Sequence, residues 1–256
     1  MEFLINLADD QPFTTVVHLR DNYRSRQQLL IPLNRTVYTH MALVARNDNR
    51  LYDADWPPGT IIPHDKSILF KHIEGLQEFH GISLFNSAEI VEVSQIVRTL
   101  VDRNNVDPAD IGIGTTYAAQ IELMKTILSD EYPKIKIGCA DVWQGDERPY
   151  IILSLARSSP KDDAMDQQHD MDFLAEYRRM NFSTTRAKRM NVFVCNMVHF
   201  LDQALLREST RECCASDGWI QFTPLFIKRF AHLRVCQSLP RPQDEESGLT
   251  TGNCPL

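Results

Sequence analysis

Several features that define other protein classes are missing from this chain of 256 residues. No apolar run approaches the ~20 residues that a membrane-spanning helix needs, and the opening residues, MEFLINLADDQPF, carry early acids where a secretory signal carries bases. No Cys-x-x-Cys pair and no metal-type spacing occurs among the six cysteines. We therefore expect free thiols, no metal site built by this chain, and a location in the cytoplasm or nucleus.

An excess of positive charge is missing as well. The 27 lysines and arginines are outnumbered by 34 aspartates and glutamates, which gives a net charge of -7. Because nucleic-acid binding needs concentrated positive charge, any such site on this chain has to be local. One local concentration is RRMNFSTTRAKR, residues 178–189, which holds five cations and no acid and runs directly into the apolar MNVFVCN.

A solvated helix face is the commonest explanation of such a basic segment. Asn181, Ser183, Thr184 and Thr185 are, however, poor helix-interior residues. Their density favours a helix end whose polar groups face a ligand.

The motifs of common α/β enzymes are also absent. The chain contains no G-x-S-x-G, no H-E-x-x-H and no G-x-G-x-x-G. It also has no phosphate loop of the form G-x-x-x-x-G-K-[ST], since none of the ten glycines is followed by lysine. These absences make an unrelated α/β enzyme the weakest hypothesis and leave the chain without a phosphate site of its own.

What the sequence does contain is an alternation of buried strands and amphipathic helices. Two helical segments begin at NSAEIVEV, where Asn86 and Glu89 resemble a capping box, and at YAAQIELM, where Ile121, Met124, Ile127 and Leu128 form the inward face. A third is predicted in DFLAEYRRMNFSTTRAK. The predicted strands are TTVVHL, SILFKHI, DIGIGTT, IKIGCA, YIILSLA and NVFVCN. The alternation predicts a doubly wound α/β domain with a mostly parallel sheet flanked by helices.

The predicted domain covers residues 13–202, after a lead-in over residues 1–12. A loop rich in proline and aspartate, residues 47–67, interrupts the alternation. Residues 203–236 are predicted to form a helical extension, and residues 237–256 a disordered tail. Ligands of such sheets bind at the carboxyl ends of strands, so we expect chemistry after GIGTT, IKIGCA and YIILSLA.

Five segments, in order, carry a family resemblance: LRDNYRS, NSAEI, IGIGTTYAAQ, CADVWQGDERPYIILSLARSS and RRMNFSTTRAKRMNVFVCN. Taken singly, the arginines of NYRSR and the QGDE loop are typical of solvated surface. Together they resemble the second, C-terminal RecA-like domain of superfamily 1 DNA/RNA helicases, in the group that contains the nonsense-mediated-decay RNA helicase. The resemblance implies a RecA-like, P-loop NTPase-type domain without the P-loop.

The resemblance also implies a nucleotide site shared between two domains. In the family, ATP with Mg²⁺ lies between two RecA-like domains, and the first supplies the phosphate loop and the magnesium carboxylates. The second supplies arginines that stabilise charge on the transferring phosphoryl group. Here Arg24 and Arg186 fall at those arginine-finger positions. The positions near the nucleotide are Tyr23, Gln144, Gly145 and Glu147.

A second implied site is a track for single-stranded RNA or DNA on the other rim of the sheet. The matching positions hold the strand backbone and not its bases, and they are Thr115, Tyr117, Gln120, Cys139, Asp141 and Ser154. Three departures from the family pattern occur: Cys139 replaces a threonine, Thr116 replaces a proline, and Phe182 to Thr184 replace V-A-L. The loss of the threonine hydroxyl weakens the contact expected at Cys139.

These motifs leave two main hypotheses about function. In the first, the chain is the C-terminal motor half of an ATP-dependent helicase, inactive alone because it lacks both the Walker A and Walker B motifs, and it works with a first RecA-like domain in cis or in trans. In the second, it is a pseudo-helicase domain that binds nucleic acid or protein without catalysis. The joint presence of Arg24, Glu147 and Arg186 favours the first.

Overall fold

The computed structural model describes residues 17–46, 66–158, 181, 183–197, 204–215 and 220–221. The predicted lead-in, the predicted tail, most of the 47–67 loop and the beginning of the helix DFLAEYRRMNFSTTRAK lie outside the described residues.

The described residues contain the following strands and α-helices, in chain order. The first half contains β1 (Asp21–Asn22), α1 (Gln27–Thr36), β2 (Val44–Ala45), β3 (Ile68–His72), β4 (Glu78–His80), β5 (Ser83–Phe85), α2 (Ser87–Arg98) and β6 (Ile111–Gly114). The second half contains α3 (Ala118–Leu128), β7 (Lys136–Gly138), β8 (Arg148–Ser154), β9 (Ala187–Cys195), α4 (Ala204–Ala215) and β10 (Ile220–Gln221).

The central sheet of the described residues is parallel throughout. Its strand order is β10-β3-β9-β8-β6-β7, with neighbouring strands in register at Phe70 and Phe193 and at Ile113 and Ile152. Two smaller sheets, β1-β2 and β4-β5, lie outside it. The predicted fold class, a doubly wound domain with a mostly parallel sheet between helices, is confirmed.

Both faces of the sheet are covered, as the runs of apolar residues predict. On one face, α1 and α4 pack against alternate strand residues that include Phe70 and Phe193, whose rings stack with centroids 4.6 Å apart. On the other face, α2 and α3 cover the intervening residues, such as Leu69 and Val192. The side chains of each strand therefore alternate between two cores.

One predicted strand is described only in part. Residues 17–19, the last three of TTVVHL, form no strand, and Val17 and Leu19 are 76% and 87% exposed, while residues 14–16 lie outside the described residues. Strand propensity reflects packing on a half-buried sheet surface, which residues 17–19 do not have. The short strand β1 begins only at Asp21 and pairs with β2.

The core continues past residue 202, the predicted end of the domain. In α4, Leu205, Leu206 and Cys213 are buried in the same cluster as α1 and β3. The strand β10 then pairs with β3 in parallel at the edge of the sheet. The region predicted as an extension thus contributes a helix and a strand to the domain itself.

Two helical details differ from the sequence prediction. The Asn86 side chain caps α2 by accepting the backbone amide hydrogen of Glu89. The reciprocal bond of a capping box is not formed, because the backbone amide of Asn86 donates to Gln120 Oε1 at 2.8 Å and not to the Glu89 side chain. In α3, Met124 and Leu128 are fully buried whereas Ile127 is 45% exposed, so Ile127 is not part of the inward face.

Across the described ranges, no helix has the length and apolar character needed to span a bilayer.

Candidate functional site

The NYRS segment lies against the beginning of β9. The Asn22 side-chain oxygen accepts the amide hydrogens of Arg24 and Ser25 at 2.9 and 2.8 Å, which fixes the turn before α1. Ser25 Oγ then donates to the Ala187 carbonyl at 2.8 Å, and the Arg26 amide donates to the Lys188 carbonyl at 3.0 Å. Arg24 is therefore held beside residues that are about 160 positions away in sequence.

Arg24 and Glu147 meet directly. Arg24 Nε donates to Glu147 Oε2, and its Nη1 donates to the Thr185 carbonyl at 3.2 Å. The other carboxylate oxygen of Glu147, Oε1, lies 3.0 Å from Lys188 Nζ. One carboxylate thus joins two cations from different elements.

Arg186 lies beside the pair formed by Arg24 and Glu147. Its carbonyl accepts the Arg148 amide at 3.2 Å, and its Nη2 donates to Thr185 Oγ1 at 3.0 Å. Burial lowers the pKa of the Arg186 guanidinium, and the charge of Arg24 lowers it further, while Glu147 opposes both effects. Two partly buried guanidinium groups therefore lie close enough to interact, which is unfavourable unless an anion joins them.

The charges of this group are set by its neighbours. Burial raises the pKa of Glu147, but hydrogen bonds from Arg24 and Lys188 outweigh burial and leave that pKa below its usual value. Arg24, Arg186, Lys188 and Glu147, here called the arginine cluster, together carry a net charge of +2 at neutral pH. Asp146, which directly precedes Glu147, is paired with Lys136 and Arg148. Burial opposes ionisation of Asp146, yet these bonds lower its pKa to about 2.

The arginine cluster lies at the amino ends of the strands. Glu147 directly precedes β8, and Arg186 directly precedes β9. These residues therefore lie at the edge opposite to the carboxyl ends, where the sequence predicted ligand chemistry. The rule describes ligands that a single sheet binds by itself, whereas these side chains extend from the opposite edge.

Three other predicted nucleotide-site residues lie beside the cluster in sequence and are accessible. Tyr23 is 69% exposed, and Gln144 and Gly145 are exposed in the loop that ends at Glu147. Gly145 has φ +77°, with no atom within 4 Å of a Cβ at that position. Glycine is therefore needed there for its backbone conformation and not for close packing.

The carboxyl ends of β6 and β8 carry a buried polar network. Gln120 Nε2 donates to Ser154 Oγ at 2.8 Å, and Ser154 Oγ donates to Glu89 Oε2 at 2.6 Å. The same Glu89 oxygen accepts the amide hydrogen of Ala156 at 2.9 Å. Burial raises the pKa of Glu89 to about 8, despite the hydrogen bonds from Ser154 and Ala156 that favour its charged form.

The predicted nucleic-acid residues differ in how far they are exposed to solvent. Gln120 and Ser154 have no exposed surface, and Thr115 and Tyr117 are also buried. For Gln120 and Ser154, the predicted direct contact conflicts with this geometry, because their polar groups are bonded to each other. Cys139 is partly accessible and Asp141 is exposed, so the structure leaves these two free to contact a strand.

Sequence reasoning missed two residues of these sites. Lys188 stands in the TTRAK motif, but its bond to Glu147 spans two segments and no local pattern shows it. Glu89 was predicted to be half of a capping box, whereas its partners Ser154 and Ala156 lie 65 and 67 residues further along the chain. Only the shared order of the family motifs could have suggested either contact.

Comparison with known proteins decides the family. Residues 3–198 match the family model AAA_12, described as an AAA domain, which is the C-terminal region of superfamily 1 helicases. The chain belongs to this family. The resemblance drawn from the five motifs is confirmed.

Relatives of the chain include several much longer proteins. It is 32% identical over 132 residues to "DNA-binding protein SMUBP-2" of Rattus norvegicus, covering 52% of this chain and 13% of that protein. It is 31% identical over 163 residues to "Regulator of nonsense transcripts 1" of Caenorhabditis elegans, covering 60% and 14%. With "Putative helicase MOV-10" of Gallus gallus it shares 28% identity over 203 residues, covering 71% and 21%.

Among solved structures, one match is the C-terminal domain of a "possible DNA helicase" from Lactobacillus plantarum WCFS1. It has a TM-score of 0.37 and 11% identity, and the match covers 68% of this chain and 87% of that one. The three sequence relatives are matched over 13%, 14% and 21% of their own lengths, so the chain spans only a minor part of each.

Proposed function

We propose that this chain is the second motor domain of an ATP-dependent DNA or RNA helicase, and that it supplies Arg24 and Arg186 to an ATP bound by a first RecA-like domain. The observation that carries the proposal is the convergence of Arg24, Glu147 and Arg186, which are remote in sequence, at one rim of the sheet. A separated arrangement would have left the two arginines without a shared target.

The charge of the arginine cluster fits a nucleoside triphosphate. Its net charge of +2 is equal and opposite to that of ATP with one bound Mg²⁺, about -2 when the triphosphate is fully ionised. Arginine suits this position because it stays charged and donates in a planar fork that matches phosphate oxygens. The phosphate loop and the magnesium ligands would come from the first domain, as this chain contains no phosphate-loop motif.

In this proposal the residues of the chain act by orientation and electrostatics. Arg24 and Arg186 would stabilise the charge that develops on the transferring phosphoryl group, where a guanidinium is worth more than in water. Glu147, with the exposed loop residues Gln144 and Gly145, would contact the nucleotide. The first domain would position the attacking water and the metal.

The opposite rim is proposed to hold a single strand by its backbone. Cys139 and Asp141 lie after β7, and Thr115 and Tyr117 lie after β6, so the four share the carboxyl edge of the sheet. Gln120 and Ser154 would position this edge from beneath. The nucleotide and the strand would therefore occupy opposite ends of β8, which links the two rims.

A domain that only binds nucleic acid or protein is the second candidate. It would need no arginine pair beside a carboxylate at the rim away from the strand. The arrangement of Arg24, Glu147 and Arg186 therefore favours the motor domain.

The test is ATP turnover by a two-domain protein assembled from this chain and a first RecA-like domain that carries a phosphate loop. Arg186→Ala should lower kcat at least about a thousandfold, the scale of an arginine finger, without preventing folding. The matched control is Arg98→Ala, because the Arg98 guanidinium pairs with Glu131 on the α2–α3 side and not with the cluster. Unchanged turnover in Arg186→Ala would refute the proposed function.

A further inference from the structure

Lys188 is the member of the arginine cluster to which the proposed function gives no individual task beyond its charge. Its ammonium group lies 3.0 Å from Glu147 Oε1, and its side chain is partly buried. Its carbonyl also accepts the Arg26 amide, which ties the lysine to the segment that carries Arg24. The position of Lys188 is therefore fixed relative to both Glu147 and Arg24.

The Glu147 carboxylate is shared between two cations, one on each oxygen. Arg24 occupies Oε2, and Lys188 occupies Oε1. A guanidinium engaged in this pair cannot at the same time present the same Nε–H to a phosphate. If Arg24 moves to a nucleotide, a partly buried carboxylate remains, and it loses one of its two compensating charges.

We infer that Lys188 is a positioning residue that keeps Glu147 anchored and charge-compensated when Arg24 leaves it for the phosphoryl group. Lys188 thereby lowers the free-energy cost of engaging the finger without touching the nucleotide. The inference rests on the proposed function, because it assumes that Arg24 acts on ATP.

The two cations have different side chains, and this difference supports separate roles. Lysine offers a compact ammonium that can bond one carboxylate oxygen from any direction, whereas arginine offers a planar fork suited to phosphate. Arg24 bonds Glu147 through Nε, and its Nη1 is directed to the Thr185 carbonyl beside Arg186. The arginine is thus placed next to Arg186, and the lysine contacts the other oxygen of the carboxylate.

The first test is a double-mutant cycle on ATP turnover in the two-domain protein. Lys188→Ala should lower kcat about tenfold, within the coupling range of contacting residues, and should change KM less than about twofold. Lys188→Arg, which retains a cation, should restore most of kcat. In a Glu147→Gln background, Lys188→Ala should have less than about a twofold further effect, because a neutral amide needs no compensation.

The outcome that would overturn the inference is an equal loss of kcat in both backgrounds. That result would mean that Lys188 acts on the nucleotide directly or through the fold. A Lys188→Arg variant as impaired as Lys188→Ala would likewise count against it.

A second test uses the 256-residue chain alone and does not depend on turnover. Carboxyl NMR titration should show a higher pKa for Glu147 in Lys188→Ala than in the wild type, and no such rise in Lys188→Arg. An unchanged Glu147 pKa would refute the role of Lys188 even if Arg186→Ala had established the motor function. Conversely, a raised Glu147 pKa with unaffected turnover in Arg186→Ala would refute the proposed function and leave only the local contact.

Discussion

Glu89 shows how one buried carboxyl group can organise a rim. It has no exposed surface and accepts hydrogen bonds from Ser154 Oγ and the Ala156 amide. Ala156 has φ +58°, a left-handed conformation that costs a residue with a Cβ about 1–2 kcal/mol. The hydrogen bond that the Ala156 amide donates to Glu89 helps to hold this turn at the end of β8.

Stability should depend on pH through Glu89. Its pKa rises from 4.5 in the unfolded chain to about 8 in the folded one, so the folded state binds more protons between these values. This contribution to the free energy of unfolding is complete below pH 4.5 and is lost as pH rises towards about 8. Denaturant unfolding of wild type and Glu89→Gln at several pH values checks this, since the glutamine variant should lack that decline.

Substitution of Glu89 should separate hydrogen bonding from charge. Glu89→Ala should destabilise the chain by about 2–4 kcal/mol, because the Ser154 and Ala156 donors lose their acceptor in a buried site. Glu89→Gln keeps an acceptor of the same size and should cost less than about 1 kcal/mol at neutral pH. Equal destabilisation by the two substitutions would mean that the ionised carboxylate, and not the hydrogen bonds, holds this turn.

Among the secondary-structure elements, most strands of the sheet could be predicted from the sequence. SILFKHI, DIGIGTT, IKIGCA, YIILSLA and NVFVCN are all strands, because runs that are apolar on both faces suit a covered parallel sheet. The positions of α4 and β10 in the fold could not be predicted. A two-residue strand is too short to show an alternation of apolar and polar residues. The packing partners of α4, which are α1 and the sheet, are distant in sequence and are seen only in the structure. The cluster's position at the amino ends follows from strand direction once the strand bounds are known.

The loop between β7 and β8 packs closely against β6. It leads from Gly138 at the carboxyl edge to Arg148 at the amino edge, and Trp143 packs so closely on Gly112 of β6 that an added Cβ would lie 2.1 Å from the indole. A Cβ at position 112 would therefore require the Trp143 side chain to shift. The contact between Gly112 and Trp143 holds against β6 the loop that leads to Glu147.

The α4 helix should be as necessary for stability as the predicted core. Leu206 is almost completely buried against α1 and the sheet, so Leu206→Ala should cost about 2–5 kcal/mol in the free energy of unfolding. Arg207→Ala, one position along the same helix and only partly buried, should change stability by less than about 0.5 kcal/mol. A loss below about 1 kcal/mol in Leu206→Ala, measured by denaturant unfolding, would show that α4 is peripheral.

Across the whole molecule, positive charge is concentrated at one site although the chain is acidic. The chain has a net charge of -7, yet the four residues of the arginine cluster sum to +2. β8 connects this cluster to the carboxyl rim proposed for the strand, over seven residues. A domain built in this way can approach an anion at the rim that carries the cluster, although its overall charge is negative.

Binding of a single strand should depend steeply on salt. If three to four phosphates are neutralised, the affinity for a fluorescent single-stranded oligonucleotide should fall about 20- to 50-fold between 50 and 200 mM salt. Fluorescence anisotropy of the two-domain protein measures this directly. An affinity that is insensitive to salt would mean that neutralisation of phosphates does not drive strand binding.

In the proposed function, Arg24 and Arg186 act on the transferring phosphoryl group of an ATP held by another domain. The most direct measurement compares the affinity of the two-domain protein for ADP with aluminium fluoride, which mimics the transferring phosphoryl group, against its affinity for ADP alone. We predict that Arg24→Ala and Arg186→Ala each weaken binding of the mimic by about tenfold or more and change ADP binding less than about threefold, since transition-state interactions are lost selectively. Equal losses for the two ligands, or no loss for either, would show that the two arginines do not act on the transferring phosphoryl group.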